Sequence, residues 1–245
     1  MIPSMEPGLT EDALLGGRVR LVQPARGYRV AVDAVLLAAA IDAAAGERVL
    51  DLGAGVGAVG LCLAARVPGC SIVGVELQPE LAALAERNAG LNGVRGRVST
   101  IVHDLAEPLP ASLGQFDHVV SNPPYLAAAV ADPSPLRSKA LATVESSADL
   151  ARWLGVAAGA AKPAGTLLFI HRSDRLEEIV NGLMRLGWGD VTLKRLPPAA
   201  RVLVRARRSA SAVRREAEPL LLHRPDRSYT DAAQAVLRGA APLAF

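Results

Sequence analysis

The sequence predicts an α/β fold built on a doubly wound, mostly parallel sheet. Three observations predict it. From Arg48 onward, short apolar runs alternate with stretches of helical character. A glycine-rich turn stands between the first of these runs and the helix after it. The second run closes on an acid, Glu76. Strands that alternate with helices cannot pair as hairpins, so they line up in parallel with helices on both faces.

The elements follow in order. Residues 1–13 read as a disordered leader, and Leu15-Gly16-Gly17-Arg18 as a tight turn, because paired glycines accept positive φ. Arg18 to Val22 alternates as a short strand, and Gln23 to Tyr28 is a loop. Asp33 stands where a helix N-cap belongs, ahead of Ala34 to Ala45. Residues 1–47 thus form an N-terminal extension of turn, strand and helix, and 48–245 the main domain with a basic tail. In that domain Arg48 to Leu52, Ser71 to Glu76, Val98 to Val102, Asp117 to Ser121 and Gly165 to His171 read as strands. Helices run from the glycine turn to about Arg66, from Pro79 to about Asn88, from Ala148 to Ala161 and from Leu176 to Leu186. Pro79 suits a first helical turn, where a missing N–H costs nothing. Val191 to Leu196 and Arg201 to Arg207 form a closing pair, and Leu126 to Lys139 and Arg208 to Glu218 read as flexible.

Composition narrows the class. Of 245 residues 51% are apolar, but only 3% are aromatic, so the core is aliphatic. No run approaches the roughly 20 apolar residues of a membrane span, and no basic region followed by an apolar block marks a signal peptide. The two cysteines, Cys62 and Cys70, have no Cys or His partner nearby; they read as buried thiols of a cytoplasmic protein rather than a metal site. Net charge is +3 but uneven. Residues 1–150 carry 11 basic and 16 acidic side chains, net −5, and residues 151–245 carry 16 and 8, net +8. This asymmetry fits a polyanionic partner on the C-terminal half, and equally a chain simply rich in arginine.

The glycine turn is Asp51-Leu52-Gly53-Ala54-Gly55-Val56-Gly57. Glycines there let backbone approach a ligand, and the helix start offers free N–H groups. Glu76 can accept both hydroxyls of a ribose. Gly55-Val56-Gly57-Ala58-Val59-Gly60 also matches the dinucleotide pattern, so the turn alone does not choose between ligands. Two details favour S-adenosylmethionine. Asp51 immediately precedes the glycines, and the glycines begin at position 53. A carboxylate repels a pyrophosphate and attracts the ammonium of a methionine end. Ala54 and Leu77 border the same ligand, and Asp104-Leu105, after the third strand, can meet the adenine amino group.

The sharpest motif is Asn122-Pro123-Pro124-Tyr125, at the end of the fourth strand. In open α/β sheets ligands gather outside the carboxyl ends of the strands. An amino nitrogen conjugated to a ring or carbonyl is a poor nucleophile, so its lone pair has to be aimed. The Asn122 side-chain oxygen and the Pro123 carbonyl can each accept one of its N–H bonds. The prolines fix the backbone, and Tyr125 can stack on a planar group. Such positioning can supply roughly 7–11 kcal/mol of a displacement barrier.

Asp51 to Gly57, Glu76, Asp104 and Asn122 to Tyr125 together resemble the Rossmann-like S-adenosylmethionine methyltransferases that modify planar amino groups. The resemblance covers residues 48 to about 207. It implies a seven-stranded sheet with the last strand antiparallel. A narrower resemblance covers nearly the whole chain. Leu14 to Val19, Gln23-Pro24, Gly27-Tyr28-Arg29 and Asp33 to Ala39 look like the opening of the bacterial tRNA adenine-N6 methyltransferases. Leu222-His223, Ser228-Tyr229-Thr230 and Ala235 to Arg238 are similar to their ending. This implies methylation of adenine 37 of a valine tRNA. It departs at Leu126, where that family often has an aromatic. Tyr28 and Asp33 are then placed either to cover the cofactor or to pack. Arg201, Arg205, Arg207, Arg208, Arg214 and Arg215 are candidates for phosphate contacts. No metal or membrane is expected. The alternatives are a glutamine methyltransferase acting on release factors, a guanine-N2 methyltransferase of ribosomal RNA, and a catalytically silent binding module.

Overall fold

A computed structural model describes residues 8–123 and 148–245. Strands β1 (Leu9–Leu14) and β2 (Val19–Pro24) form an antiparallel hairpin. Helix α1 (Val32–Ala39) leads into the main sheet. Its elements are β3 (Arg48–Leu52), α2 (Ala58–Arg66), β4 (Ser71–Glu76), α3 (Pro79–Leu91), β5 (Val98–Val102) and β6 (Phe116–Ser121). After residue 147 come α4 (Leu150–Ala160), β7 (Ala161–Arg172), α5 (Leu176–Arg185), β8 (Trp188–Arg195), β9 (Arg201–Arg207), β10 (Ser209–Ala217) and α6 (Asp231–Leu237).

The main sheet has the order β10-β8-β9-β7-β6-β3-β4-β5. Strand β9 runs antiparallel to both of its neighbours, and the other pairings in this sheet are parallel. Strands β3 to β9 are the expected seven, with β9 the antiparallel one. An eighth, β10, is added at the edge beside β8.

Period-two alternation divides the core between two faces. In β7, Leu168 and Ile170 face α1, α2, α3 and α6, whereas Leu167 and Phe169 face α4 and α5. Helix α3 starts with Pro79 in its first turn. Asp149 caps α4 by accepting the Arg152 N–H at 2.8 Å. Thr230 caps α6 by accepting the Ala233 N–H at 3.1 Å. The residues before α6 are held to the carboxyl end of β8, with Leu220 N–H bonded to Arg195 O at 3.0 Å and Leu222 N–H to Pro197 O at 2.7 Å. In the same segment the His223 and Tyr229 rings stack 4.6 Å apart.

Three readings need correction. The leader is ordered from residue 8 and forms β1. That strand is paired along its length with β2, and polar contacts flank the ladder: Glu11 pairs with Arg20 at 2.6 Å, and Asp12 accepts from Gln23 and Arg29, each at 2.9 Å. The stretch from Arg208 to Glu218 is not a flexible tail but largely β10. Cross-strand Arg215–Asp190 and Arg195–Glu216 pairs, with Arg214–Glu177, fasten that edge. Helix α1 begins at Val32 with Ala31 as N-cap, so Asp33 lies in its first turn, and it stops at Ala39 rather than Ala45. Its last carbonyls are taken by other partners, Ala38 O by the Arg66 guanidinium and Ala39 O by Leu243 N–H at 2.8 Å. The stretch from Leu126 to Lys139 lies outside the described residues.

Phe169 is fully buried between the sheet and α4 and α5. Phe169→Ala is expected to cost about 3–5 kcal/mol. The urea midpoint should fall with the slope unchanged.

Candidate active site

Register brings the candidate residues to one rim. Leu52 pairs with Val75 on one side and Ser121 on the other, and Glu76 pairs with Val102. Gly53, Glu76, His103 and Asn122 therefore stand level at the carboxyl ends of four adjacent strands. With about 4.8 Å between strands, Asn122 lies about 10 Å from the end of β4. The Ser121 hydroxyl donates to Leu52 O at 2.8 Å and ties β6 to β3 at this level.

The glycine turn is bound to β4 by backbone. Gly53 N–H and Ala54 N–H both donate to Val75 O, at 2.8 and 3.0 Å. Gly55 N–H donates to a Glu76 carboxylate oxygen at 2.7 Å, and Gln78 N–H to the other at 2.9 Å. Leu77 N–H adds a further bond to that carboxylate. Glu76 is buried, and desolvation raises its pKa against those three donors. Asp51 is 2% exposed, and one of its carboxylate oxygens has no hydrogen-bond partner. Burial first, and then the Glu76 charge, push its pKa up to about 7. No basic side chain among the described residues pairs with either acid.

Glycine is required at positions 53 and 55 by neighbours within the chain. A Cβ on Gly53, at φ +75°, would lie 2.7 Å from the Trp153 ring. A Cβ on Gly55, at φ +57°, would lie 2.1 Å from the Tyr28 hydroxyl. That hydroxyl also meets the Val56 backbone, and its pKa is raised by burial and by Glu76 and Asp51. Tyr28 thus belongs to the cluster. Gly57 forms the N-cap of α2.

Asp104 is half-buried on the far side, with a side-chain oxygen accepting Ala106 N–H at 2.9 Å. Leu105 is buried, and its carbonyl accepts from Arg152 at 2.7 Å. Asn122 is half-buried at the rim and Pro123 is buried behind it. Pro124 and Tyr125 lie outside the described residues. Asp33, read as a cofactor cover or a packing residue, is mostly buried. It sits 3.0 Å from Arg201, an ion pair joining α1 to the start of β9.

The structure adds Trp153 and Arg152, which sequence reasoning did not single out. The first turns of α4 touch the glycine turn through Trp153 and the Leu105 loop through Arg152. Trp153 is one of two tryptophans in an aromatic-poor chain, and that rarity is the signal that could have found it.

The proposed phosphate contacts are mostly engaged within the chain. Arg201 holds Asp33, Arg214 holds Glu177 and Arg215 holds Asp190. Arg205 lies 4.5 Å over the Phe245 ring and Arg208 4.8 Å over Trp188. Because β9 runs antiparallel, Arg207 pairs with Thr166 near the amino end of β7, away from Asn122.

An open parallel sheet with one antiparallel strand and a glycine turn facing an acid at the next strand end defines the class of Rossmann-like methyltransferases. Comparisons agree. Residues 29–138 match the family model described as the methyltransferase small domain. A predicted O-methyltransferase from Agrobacterium tumefaciens superposes with TM-score 0.69 at 27% identity, covering 87% of this chain and 99% of that one. The chain has the fold of the Rossmann-like methyltransferases. It is 41% identical over 104 residues to a tRNA1(Val) (adenine(37)-N6)-methyltransferase of Yersinia enterocolitica, covering 42% of this chain and 41% of that protein. It is 35% identical over 154 residues to a release factor glutamine methyltransferase of Salmonella typhimurium, covering 59% and 53%. These matches span about two-fifths to half of the curated relatives' length.

Gly55→Ala is expected to drive Tyr28 off the turn and weaken S-adenosylmethionine binding about tenfold or more, as read by calorimetry. Adding Tyr28→Ala should recover part of that loss. Unchanged affinity in Gly55→Ala would show that the turn takes no part in binding.

Proposed function

We propose that this chain transfers a methyl group from S-adenosylmethionine to N6 of an adenine in tRNA, position 37 of valine tRNA being the target its relatives indicate. The observation that carries the reading is the level placement of Asn122-Pro123 beside the glycine turn, with Glu76 one strand further. The likeness to the Yersinia enterocolitica tRNA enzyme supports the choice of adenine.

The residues present fit the cofactor. Asp51 offers a buried oxygen without a partner, suited to an ammonium. Glu76 stands at the strand end where ribose hydroxyls would reach it, and Leu77, Asp104 and Leu105 border the adenine end. The bound cofactor supplies an electrophilic methyl on a sulfonium. The chain's own work is to hold the acceptor. An adenine from a single-stranded loop is turned out at modest cost. The Asn122 side-chain oxygen and the Pro123 carbonyl accept its two N6 hydrogens, so the nitrogen lone pair faces the methyl. Tyr125 is assigned to stack on the ring. The amino proton passes to solvent once the nitrogen is alkylated, so no strong base is required.

A glutamine side chain in a release factor presents the same planar amide, and the Salmonella relative keeps that reading open. The test is to incubate the protein with S-adenosylmethionine and unmodified bulk tRNA, digest to nucleosides and look for N6-methyladenosine by mass spectrometry. Its appearance is expected. Asn122→Ala should lower the yield about a hundredfold or more while cofactor affinity stays within a few-fold. Cofactor binding without methylated adenosine would turn the assignment to glutamine or to guanine of ribosomal RNA. Full turnover in Asn122→Ala would remove Asn122 from the mechanism.

A further inference from the structure

Two carboxyl groups sit side by side under the glycine turn, and only one is fully solvated by protein. Glu76 accepts backbone N–H bonds from Gly55, Leu77 and Gln78. Asp51, one strand away on β3 and 2% exposed, keeps one oxygen unpartnered. Among the described residues, the Glu76 charge acts on Asp51, and both acids act on the Tyr28 hydroxyl, which packs over Gly55 from the loop between β2 and α1. From α4 the Trp153 ring, which carries no charge, reaches Gly53 in the same turn. A second full negative charge is expensive there, because two like charges in a dry site cannot both be ionised without a cation.

We propose that the Asp51–Glu76 pair holds a proton in the empty protein and gives it up when the ammonium of the cofactor's methionine end arrives. The inference rests on the S-adenosylmethionine reading above. The balance is simple. One O–H bond on the pair breaks, the proton leaves to solvent, and the ammonium takes its place as counter-charge. The proton belongs to the pair, but Asp51 is its seat, because the oxygens of Glu76 already receive N–H donors.

The sign follows from burial. The Asp51 carboxyl is pushed up to about 7 in the empty protein, and a bound ammonium favours its charged form. Below neutral pH the proton has to be removed before binding, so affinity falls about tenfold per unit as pH drops well under 7. Above about pH 8 the ligand's own amino group loses its charge. Affinity therefore peaks between these limits. The same arrangement selects against a pyrophosphate ligand, whose charge would add to that of the pair.

Isothermal calorimetry with S-adenosylmethionine in two buffers of different ionisation enthalpy reads the proton directly. At pH 7 about half a proton should be released per cofactor bound, rising toward one near pH 6. 5′-Methylthioadenosine, which lacks the amino-acid end, should bind with no proton release in the same protein. Asp51→Asn should bind S-adenosylmethionine more weakly and abolish the acid limb of the pH profile. Buffer-independent enthalpies for S-adenosylmethionine from pH 6 to 7, or equal release with 5′-methylthioadenosine, would overturn the proposal while leaving the methyltransferase reading intact. No binding of either ligand at any pH would overturn both. The 5′-methylthioadenosine comparison needs no variant, so it decides the matter even if Asp51→Asn does not fold.

Discussion

The level ending of four parallel strands is the constraint on which the rest of the molecule depends. Backbone register, not side-chain chemistry, puts Gly53, Glu76, His103 and Asn122 at one height. A slip of one residue in any pairing would turn that strand's functional side chain to the other face. The register is itself protected by burial. β3, β4 and β6 are central strands with apolar cores, Val49-Leu50, Ile72-Val73 and Val119-Val120, packed on both faces of the sheet.

Much of this was legible because buried parallel strands and glycine turns leave local marks. The run from Val49 to Leu52, the glycines at 53, 55 and 57 and the acid at 76 are contiguous signals, and the seven central strands follow from them. What was not legible depends on partners far along the chain. β1 and β10 are edge strands carrying charged residues, and their ladders to β2 and β8, flanked by the Glu11–Arg20 and Arg215–Asp190 pairs, are contacts that no periodicity announces. Asp33 stands one residue inside α1 rather than at its cap, and its ion pair with Arg201, 168 residues away, is a contact that no local pattern announces.

The glycines show the same limit in a sharper form. From sequence, their lack of side chains reads as room for a ligand. In the folded chain Tyr28 and Trp153 occupy the space beside two of them. The N-terminal extension and α4 therefore help to build the turn's shape. Arg152, adjacent to Trp153, reaches the Leu105 carbonyl, so one short helix touches both the glycine turn and the loop assigned to adenine. The surroundings of the glycine turn are assembled from residues as far apart as Tyr28 and Trp153, although the motif itself occupies seven residues.

Charge completes the logic of the cleft. The arginines that make the C-terminal half basic are largely committed to acids or aromatic rings, and β9 carries some of them to the opposite edge of the sheet. The interior of the rim is acidic, with Asp51 and Glu76 buried and no basic partner among the described residues. A polyanion gains nothing by entering such a cleft with its phosphates. A neutral base or amide suits the place beside Asn122 better: Glu76 lies about 10 Å away across two strand spacings, and Asp51, on the adjacent strand β3, is buried below the turn. The geometry therefore admits a planar group presented end-on while its charged backbone stays outside. A base turned out of a loop, the acceptor proposed above, meets that demand, with Asn122 at the end of β6 and the acids on β3 and β4.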